Sequence, residues 1–280
     1  MSRNWGALAG GVLLVLLVGL AAVGPHLTRD PIARDIEHGL SAMGAPLPPG
    51  DGALLGTDQL GRDVWARLVA GAGSSLAIAG LATLLALVIG LAVGLTAGYA
   101  GGRVDTILMR FVDLVLSFPF LMVAILLAAL LREADLASST LPVIVTLGAV
   151  SWTTLARVVR AKALTLAAAD HVTAARALGA TPARIVLRHI LPNVAGLVAA
   201  VALLAFAQNL LAEAALSYLG LGPPPPEASW GRMLYEGRPY YRTAPHLVIA
   251  PGLAIVLAVV AFHLAGEALR ARFDPAERLR

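Results

Sequence analysis

Six long stretches without Asp, Glu, Lys or Arg constrain this chain more than any other feature of its sequence. A helix needs about 20 apolar residues to cross a hydrocarbon core of about 30 Å, with some latitude for tilt. Hydrophobic residues make up 58% of the chain and charged residues only 14%, whereas soluble domains carry about 25% charged residues. We therefore predict an all-α, polytopic membrane protein with six transmembrane helices, at residues 6–27, 72–102, 114–131, 136–156, 189–212 and 243–266.

The basic residues indicate how these helices are oriented. The net charge is +4 and the sequence pI about 9.9, but the Lys and Arg residues flank the apolar stretches, so they indicate topology and not nucleic-acid binding. An even number of helices places both termini on one side, and most of the 21 Lys and Arg residues fall on that side. We therefore expect both termini to be cytoplasmic. The first stretch exceeds the 7 to 15 apolar residues of a signal peptide, which favours an uncleaved helix.

The connection at residues 157–188 is predicted to form two short helices with a sharp break. Asp170 is suited to cap the first, Gly179 to end it, and Thr181 with Pro182 to begin the next. On the first helix Val172, Ala175 and Leu178 are expected to share one face. Such a helix either enters a groove on another protein or only turns the chain between two spans, and the composition does not choose between these two interpretations.

Two connections on the other side are also long. The segment 28–71 is polar and turn-rich and ends in an amphipathic stretch at 57–68, where Leu60, Val64, Trp65 and Leu68 recur at helical spacing. We interpret this stretch as a loop that lies on the bilayer. The segment 220–242 opens with four prolines at 223–226, which predict a stiff, extended spacer.

The sequence lacks several kinds of chemistry. The single lysine, Lys162, does not stand in a phosphate-binding loop, no two histidines have the i, i+4 spacing of a zinc helix, and there is no cysteine. An intramembrane hydrolase would have to pair Ser74, Ser75 or Ser151 with His263, without a recognisable nucleophile motif. The remaining polar residues in or beside the spans are expected to bond between helices near the membrane surface: Gln208, Asn209 and Glu213, His263 and Glu267, and Asp113. Glycines at 90, 94 and 98 favour close helix packing, for which a partner's helices are candidates.

Several motifs resemble one family. Residues 170–179 (DHVTAARALG), followed by 190–193 (ILPN), resemble the EAA loop of the membrane subunits of binding-protein-dependent ABC importers. The stretches LGTDQLGRDV (55–64), AGYAGG (97–102), LSYLGLG (216–222) and SWGRML (229–234) are similar to the second, or "C", permease subunit of dipeptide, oligopeptide and nickel importers. The resemblance runs from Leu55 to the C-terminus. Thr173 stands where the motif has its glutamate, which puts any salt bridge of that acid in doubt here.

This resemblance implies a type I ABC importer transmembrane-domain architecture. Residues 1–71 would hold the first transmembrane helix and an extracytoplasmic segment, and residues 72–280 the transporter domain with its coupling loop at about 157–193. The residues implied to contact the ATPase are Asp170, Thr173, Ala174, Ala175, Arg176, Leu178 and Gly179. No catalytic, metal or cofactor site is implied in this chain.

The implied function is a permease subunit of an ATP-driven peptide importer in the bacterial inner membrane. Its implied partners are a homologous permease, two ATPase subunits that bind ATP and Mg²⁺, an extracytoplasmic binding protein and membrane lipid, but no nucleic acid. A nickel or other small-solute importer is the alternative within the family. A stand-alone secondary carrier or channel is the alternative of another class, and it would need inverted repeats and a charged midplane site that the sequence does not clearly show.

Overall fold

The fold was analysed in a computed structural model that describes residues 2–50, 52–133 and 140–273, apart from the side chains of residues 2–5. These residues form ten α-helices. They are α1 (Ser2–Leu27), α2 (Val64–Ala100), α3 (Gly102–Leu116), α4 (Phe120–Leu131), α5 (Leu141–Ala167), α6 (Asp170–Ala177), α7 (Pro182–Ile185), α8 (Leu191–Tyr218), α9 (Trp230–Gly237) and α10 (His246–Phe273). A π-helical turn, Val186–Ile190, joins α7 to α8, and a 3₁₀ turn, Arg238–Tyr240, follows α9.

The prediction of six membrane helices is confirmed, with one change in the third. The helices α1, α2, α5, α8 (with α7 and the π turn) and α10 are each long and apolar enough to cross a membrane. The third predicted span is broken into α3 and α4, whose axes differ by 86°, and the number of spans is six when this pair counts as one. Pro119 stands at the start of α4, where its missing N–H prevents α3 from continuing.

The helix ends differ from the predicted span ends because apolar composition predicts only the part of a helix that lies in the membrane. The helix itself can begin before this part and end after it. Helix α2 begins at Val64, where the side chain of Asp63 accepts hydrogen bonds from the backbone N–H groups of Trp65 (2.8 Å) and Ala66 (3.2 Å). It ends at Gly101, whose φ of +61° breaks the helix. The predicted division at residue 71 therefore lies inside α2. Helix α5 continues to Ala167, whereas residues 136–139 of the fourth predicted span lie outside the described residues.

The glycines of α2 fit that helix closely against α5. A Cβ atom added at Gly94 would lie 2.6 Å from the carbonyl oxygen of Ala156, and one added at Gly98 would lie 2.6 Å from the Cβ of Ala163. Gly90 approaches Leu155 in the same way. The close packing expected from this spacing is therefore met within the chain, by α5.

The bundle has two ends that hold different connections. The end of α4, the end of α8, α9 and the start of α2 lie together at one end, which we call the α9 end; there Arg132 donates hydrogen bonds to the carbonyl oxygens of Gly220 (3.0 Å) and Gly222. The opposite, α6 end holds α6, α7 and the end of α10, where Phe273 packs on Gly196 of α8. Near the start of α1, Gly10 packs on Leu264 of α10, so both chain ends lie toward the α6 end.

Candidate functional site

The short helix α6 is anchored to the bundle by one buried side chain. Val172 is fully buried and joins a hydrophobic cluster that contains residues from the ends of three long helices. The other buried members of this cluster are Leu95, Val159, Ala163, Ile185, Ile190, Val194 and Val198. Because α2, α5 and α8 all contribute to the cluster, a force applied to α6 reaches these three helices through direct packing.

The remaining side chains of α6 face outward, and this corrects one prediction. Val172 is buried and Ala175 half-buried, but Leu178 has 88% of its surface exposed, so these three residues do not share a face. The helix ends at Ala177, and Leu178 has already left the helical conformation, with φ −82° and ψ 8°. Its side chain therefore projects beside Thr173 and Ala174, which are also exposed, as a single large apolar group.

Gly179 shapes the end of α6 as the sequence predicts. Its φ is +80°, a left-handed conformation that side chains with a Cβ disfavour. The N–H of Ala180 donates to the carbonyl oxygen of Ala175 and the N–H of Gly179 to that of Arg176, both at 3.0 Å. This pair of bonds is a Schellman motif, which closes the last turn of the helix.

The two ends of the hairpin are fixed by further local contacts. Thr181 caps α7 by accepting a hydrogen bond from the N–H of Arg184 at 3.4 Å, and Pro182 is the first residue of that helix, as predicted. Asp170 was expected to cap α6, but Ala169 occupies that position and Asp170 lies in the first turn, where its charge suits the helix dipole. The guanidinium of Arg176 lies 5.9 Å from the ring centroid of Tyr99, which links α6 to the end of α2.

Two ion pairs tie α3 to α5 near the α6 end. Arg157 donates a hydrogen bond to the carboxylate of Asp113 at 2.5 Å, and both side chains are half exposed. Arg160 donates two hydrogen bonds to the carboxylate of Asp105, one of them at 2.6 Å. Asp113 was expected to bond between helices, and it does so. The bent half-span α3 is therefore attached to the helix that leads into α6.

The α9 end holds a buried ionic cluster that the sequence did not reveal. The carboxylate of Asp58 accepts hydrogen bonds from Arg62 (2.7 Å) and Arg67 (2.5 Å). Both arginines also donate a hydrogen bond to the carboxylate of Glu236 in α9, each at 2.8 Å. Asp58 is 3% exposed, Arg62 6% and Arg67 2%. The interpretation of 57–68 as a loop lying on the bilayer is therefore wrong. The stretch is packed against α9, so the motifs at 55–64 and 229–234 meet in space.

Charge complementarity in this cluster lowers the pKa of Glu236. Burial alone would raise the pKa of this carboxyl group. The positive charges of Arg67 and Arg62, with hydrogen bonds from Arg232 and Arg67, outweigh burial and lower the pKa to about 2. Glu236 is therefore ionised at neutral pH.

Polar residues inside the bundle form a second network. The Glu213 carboxylate is fully buried and accepts hydrogen bonds from Ser75 (3.2 Å) and Ser217 (2.7 Å), while the backbone N–H of Trp230 donates to Ser75 at 3.1 Å. Asn209 donates to Thr83 at 3.0 Å. Glu213 and Asn209 thus bond between helices, as predicted, but Asn209 lies nine residues before the end of α8 and so deeper in its span than the predicted position near the membrane surface. Gln208, His263 and Glu267 are exposed.

Within the described ranges, no three His, Asp or Glu side chains converge in a way that could hold a metal ion. The arrangement instead consists of a membrane bundle, an outward-facing short helix at one end and a packed external segment at the other. A bundle of this kind, whose spans pack against a protruding helix, is consistent with a membrane subunit that contacts another protein at its α6 end.

The comparisons with known proteins agree with this class. The chain belongs to the family described as the binding-protein-dependent transport system inner membrane component, whose pattern matches residues 90–279. It is 40% identical over 95% of its length to a putative peptide transport system permease protein of Brucella suis biovar 1 (strain 1330), and it covers 86% of that protein.

Two further relatives carry more specific names. The chain is 36% identical over 99% of its length to the oligopeptide transport system permease protein OppC of Escherichia coli (strain K12), of which it covers 89%. It is 34% identical over 98% of its length to the dipeptide transport system permease protein DppC of Bacillus subtilis (strain 168), of which it covers 83%. Family membership thus favours the importer subunit over the stand-alone carrier.

The fold is similar to that of a solved transporter. In an inward-facing structure of the MetNI methionine ABC transporter, one chain matches 75% of this chain with a TM-score of 0.61 and 23% identity, and 97% of that chain is covered. The transmembrane architecture of an ABC importer subunit is thereby confirmed.

Proposed function

We propose that this protein is a permease subunit of an ATP-driven peptide importer. It pairs with a homologous permease, and each of the two forms half of the translocation pathway. An extracytoplasmic binding protein delivers the peptide to the α9 end, and two ATPase subunits, which bind ATP and Mg²⁺, act at the α6 end. The names of the relatives, which refer to peptide, oligopeptide and dipeptide transport, support peptide as the cargo.

The observation that carries this proposal is the exposed side of α6. Leu178, which is 88% exposed, directly follows α6, a helix that carries the exposed small residue Ala174 and whose only fully buried side chain is Val172. An exposed leucine flanked by small residues suits a shallow groove on a partner protein, where one or a few apolar anchors supply most of the binding free energy. The coupling residues are therefore Asp170, Thr173, Ala174, Ala175, Arg176, Leu178 and Gly179.

In this mechanism α6 transmits the work of ATP binding to the spans. The ATPase shifts the permease from one conformation to the other only if it binds the two with different affinity. When the ATPase subunits close, α6 moves with them, and Val172 carries the movement into the cluster shared by α2, α5 and α8. The ion pairs of Asp105 and Asp113 with α5 extend the movement to α3. The moving unit is thus the set of helices attached to this cluster.

The test compares two exposed leucines at opposite ends of the bundle. In the assembled transporter, L178D is expected to abolish peptide-stimulated ATP hydrolysis and co-purification of the ATPase, because a charge replaces the apolar anchor. The matched control is L54D, at a leucine that is 67% exposed at the α9 end, and it is expected to retain both. If L178D behaves like L54D, α6 is not the docking element.

A second variant tests the turn and not the anchor. In G179P the native φ of +80° is unattainable and the N–H that donates to Arg176 is lost. We expect this change to abolish uptake and ATPase docking while membrane insertion is retained. Normal transport by G179P would reject the assignment.

A further inference from the structure

Two adjoining cavities form a groove between α5 and α8. The larger has a volume of about 420 Å³ and the smaller about 180 Å³, and both are lined by Ser151, Thr154 and Gln208. The larger opens beside the break between α3 and α4, where Phe118 and Phe120 form an apolar wall. The smaller continues to Arg270 near the α6 end. The groove thus runs along the bundle axis.

The shared residues lie deep within the spans. Ser151 is ten residues after Leu141, the start of α5, and Gln208 is ten residues before Tyr218, the end of α8. At 1.5 Å per residue, each lies roughly 15 Å from the α9 end of its helix, about half of a hydrocarbon core of ~30 Å. Because the two helices run in opposite directions, both residues reach the same depth.

Polar side chains at this depth are not suited to face lipid. Thr154 and Gln208 are exposed, and Gln208 makes no side-chain hydrogen bond to any other part of the chain that the structure describes. An amide group without a partner in hydrocarbon is strongly disfavoured. This face therefore meets water, a hydrogen-bonding ligand or polar groups of the partner permease, and the experiments below distinguish among them.

Asn209 gives a second, independent observation. Only 1% of its surface is exposed, and its Nδ2 donates to Thr83, but its Oδ1 has no hydrogen-bond partner among the described residues. The residue lines the larger cavity. This amide oxygen is an unsatisfied acceptor in the wall of the larger cavity and is itself covered by neighbouring atoms.

We propose that this groove lines the translocation pathway and binds the backbone amides of a passing peptide. The inference rests on the proposed function and names the substrate-contacting surface. The exposed side chains of Gln208 and Thr154 each donate hydrogen bonds to the peptide backbone and accept hydrogen bonds from it. No charged side chain lines the larger cavity, and the aromatic wall of Phe118 and Phe120 tolerates varied side chains. The groove thus recognises what all peptides share and does not select among their sequences.

The first experiment measures water access in the assembled transporter in lipid vesicles. Since the chain has no cysteine, single cysteines can be introduced without removing any. The variants T154C and Q208C are expected to react with a charged, membrane-impermeant methanethiosulfonate, detected by the mass of this chain. The control is V88C. Val88 is 59% exposed and lies between Leu85, which packs on Gly148, and Gly90, which packs on Leu155, so it has the same depth as Ser151.

V88C is expected to be unreactive because it faces lipid. If T154C and Q208C are no more reactive than V88C, lipid or the partner permease covers the groove. Either case would overturn the proposal. This result does not depend on transport, so it is distinct from a failure of the proposed function.

The second experiment measures ATP-driven uptake of trialanine. T154V and Q208L are each expected to lower uptake at least tenfold, with ATPase co-purification unchanged. The matched control T106V changes an exposed threonine of α3 that lies outside both cavities and whose hydroxyl donates a hydrogen bond to the carbonyl oxygen of Gly102 at 2.9 Å. It is expected to transport normally. If the wild type imports trialanine and both groove variants equal it, amide binding by the groove is rejected. If the wild type imports no trialanine, the proposed function fails. The assignment of peptide as the ligand of the groove then fails as well.

Discussion

Gly179 is the residue whose conformation decides the turn between α6 and α7. Its φ is +80°, and a Cβ added to it would meet no atom within 4 Å, so a substitution there changes backbone energy and not packing. A β-branched residue in this conformation costs at least about 1–2 kcal/mol, which corresponds to a factor of about 5–30 in the population of the native turn. We expect G179V to lower peptide-stimulated ATP hydrolysis by about 5- to 30-fold. G179N should stay near the wild type, because asparagine tolerates a positive φ. Equal activity of the two variants would contradict the role of the turn.

Glu236 gives the α9 end a predictable response to acid. Because the folded pKa of about 2 lies below the unfolded value of 4.5, the ionised carboxylate stabilises the fold fully above pH 4.5. This stabilisation is lost as the pH falls from 4.5 toward 2. E236Q removes one of the two carboxylates that pair with the buried Arg62 and Arg67, so that Asp58 alone balances both charges, and we expect this change to destabilise the fold.

Thermal unfolding of the purified protein in detergent tests this expectation. At pH 7, E236Q is expected to lower the midpoint, and its midpoint should vary less with pH between 4.5 and 2 than that of the wild type. The control E227Q alters an exposed glutamate of the same connection and should leave the curve unchanged. An unchanged midpoint in E236Q would show that the cluster does not stabilise the fold.

At the scale of elements, the contact between α2 and α5 depends on the absence of side chains. A Cβ at Gly94 would lie 2.6 Å from the backbone oxygen of Ala156, so the helices must separate to admit it. Overpacking of this kind typically costs 1–3 kcal/mol. We expect G94A to lower the thermal midpoint, whereas G252A in α10, where nothing lies within 4 Å, should leave it unchanged or raise it slightly. A neutral G94A would contradict close packing at this site.

The elements also show which features the sequence can predict. Gly179, Thr181 and Pro182 marked the end of α6 and the start of α7 correctly, because caps and turns are set by neighbours in the sequence. The ionic cluster was missed because Glu236 is 169 residues from Arg67, and no local pattern links them. Pro119, at the start of α4, interrupts the third span, but the angle of 86° depends on packing against other helices.

At the scale of the whole molecule, helix number followed from apolar length, but the neighbours of each helix did not. Glycine spacing in α2 indicated a close neighbour, yet only the structure identifies it as α5 and not a partner subunit. The interpretation of 57–68 failed for the same reason. An amphipathic pattern predicts that one face is covered, and here α9 covers it in place of the bilayer. The pathway groove was likewise beyond sequence reasoning, because helix rotation decides which polar residues share a surface.

Exposed residues at the two ends of the bundle allow the orientation of the chain in the membrane to be tested. Leu178 at the α6 end is 88% exposed, and Met43 in the segment packed at the α9 end is 96% exposed. By the positive-inside rule, the excess of basic residues on the side of the termini predicts that the α6 end is cytoplasmic. In spheroplasts, an impermeant maleimide should therefore label M43C and leave L178C unlabelled, and in inverted vesicles the pattern should reverse. Labelling of L178C from outside the cell would separate α6 from any cytoplasmic ATPase, and the coupling mechanism would fail even if the fold is right.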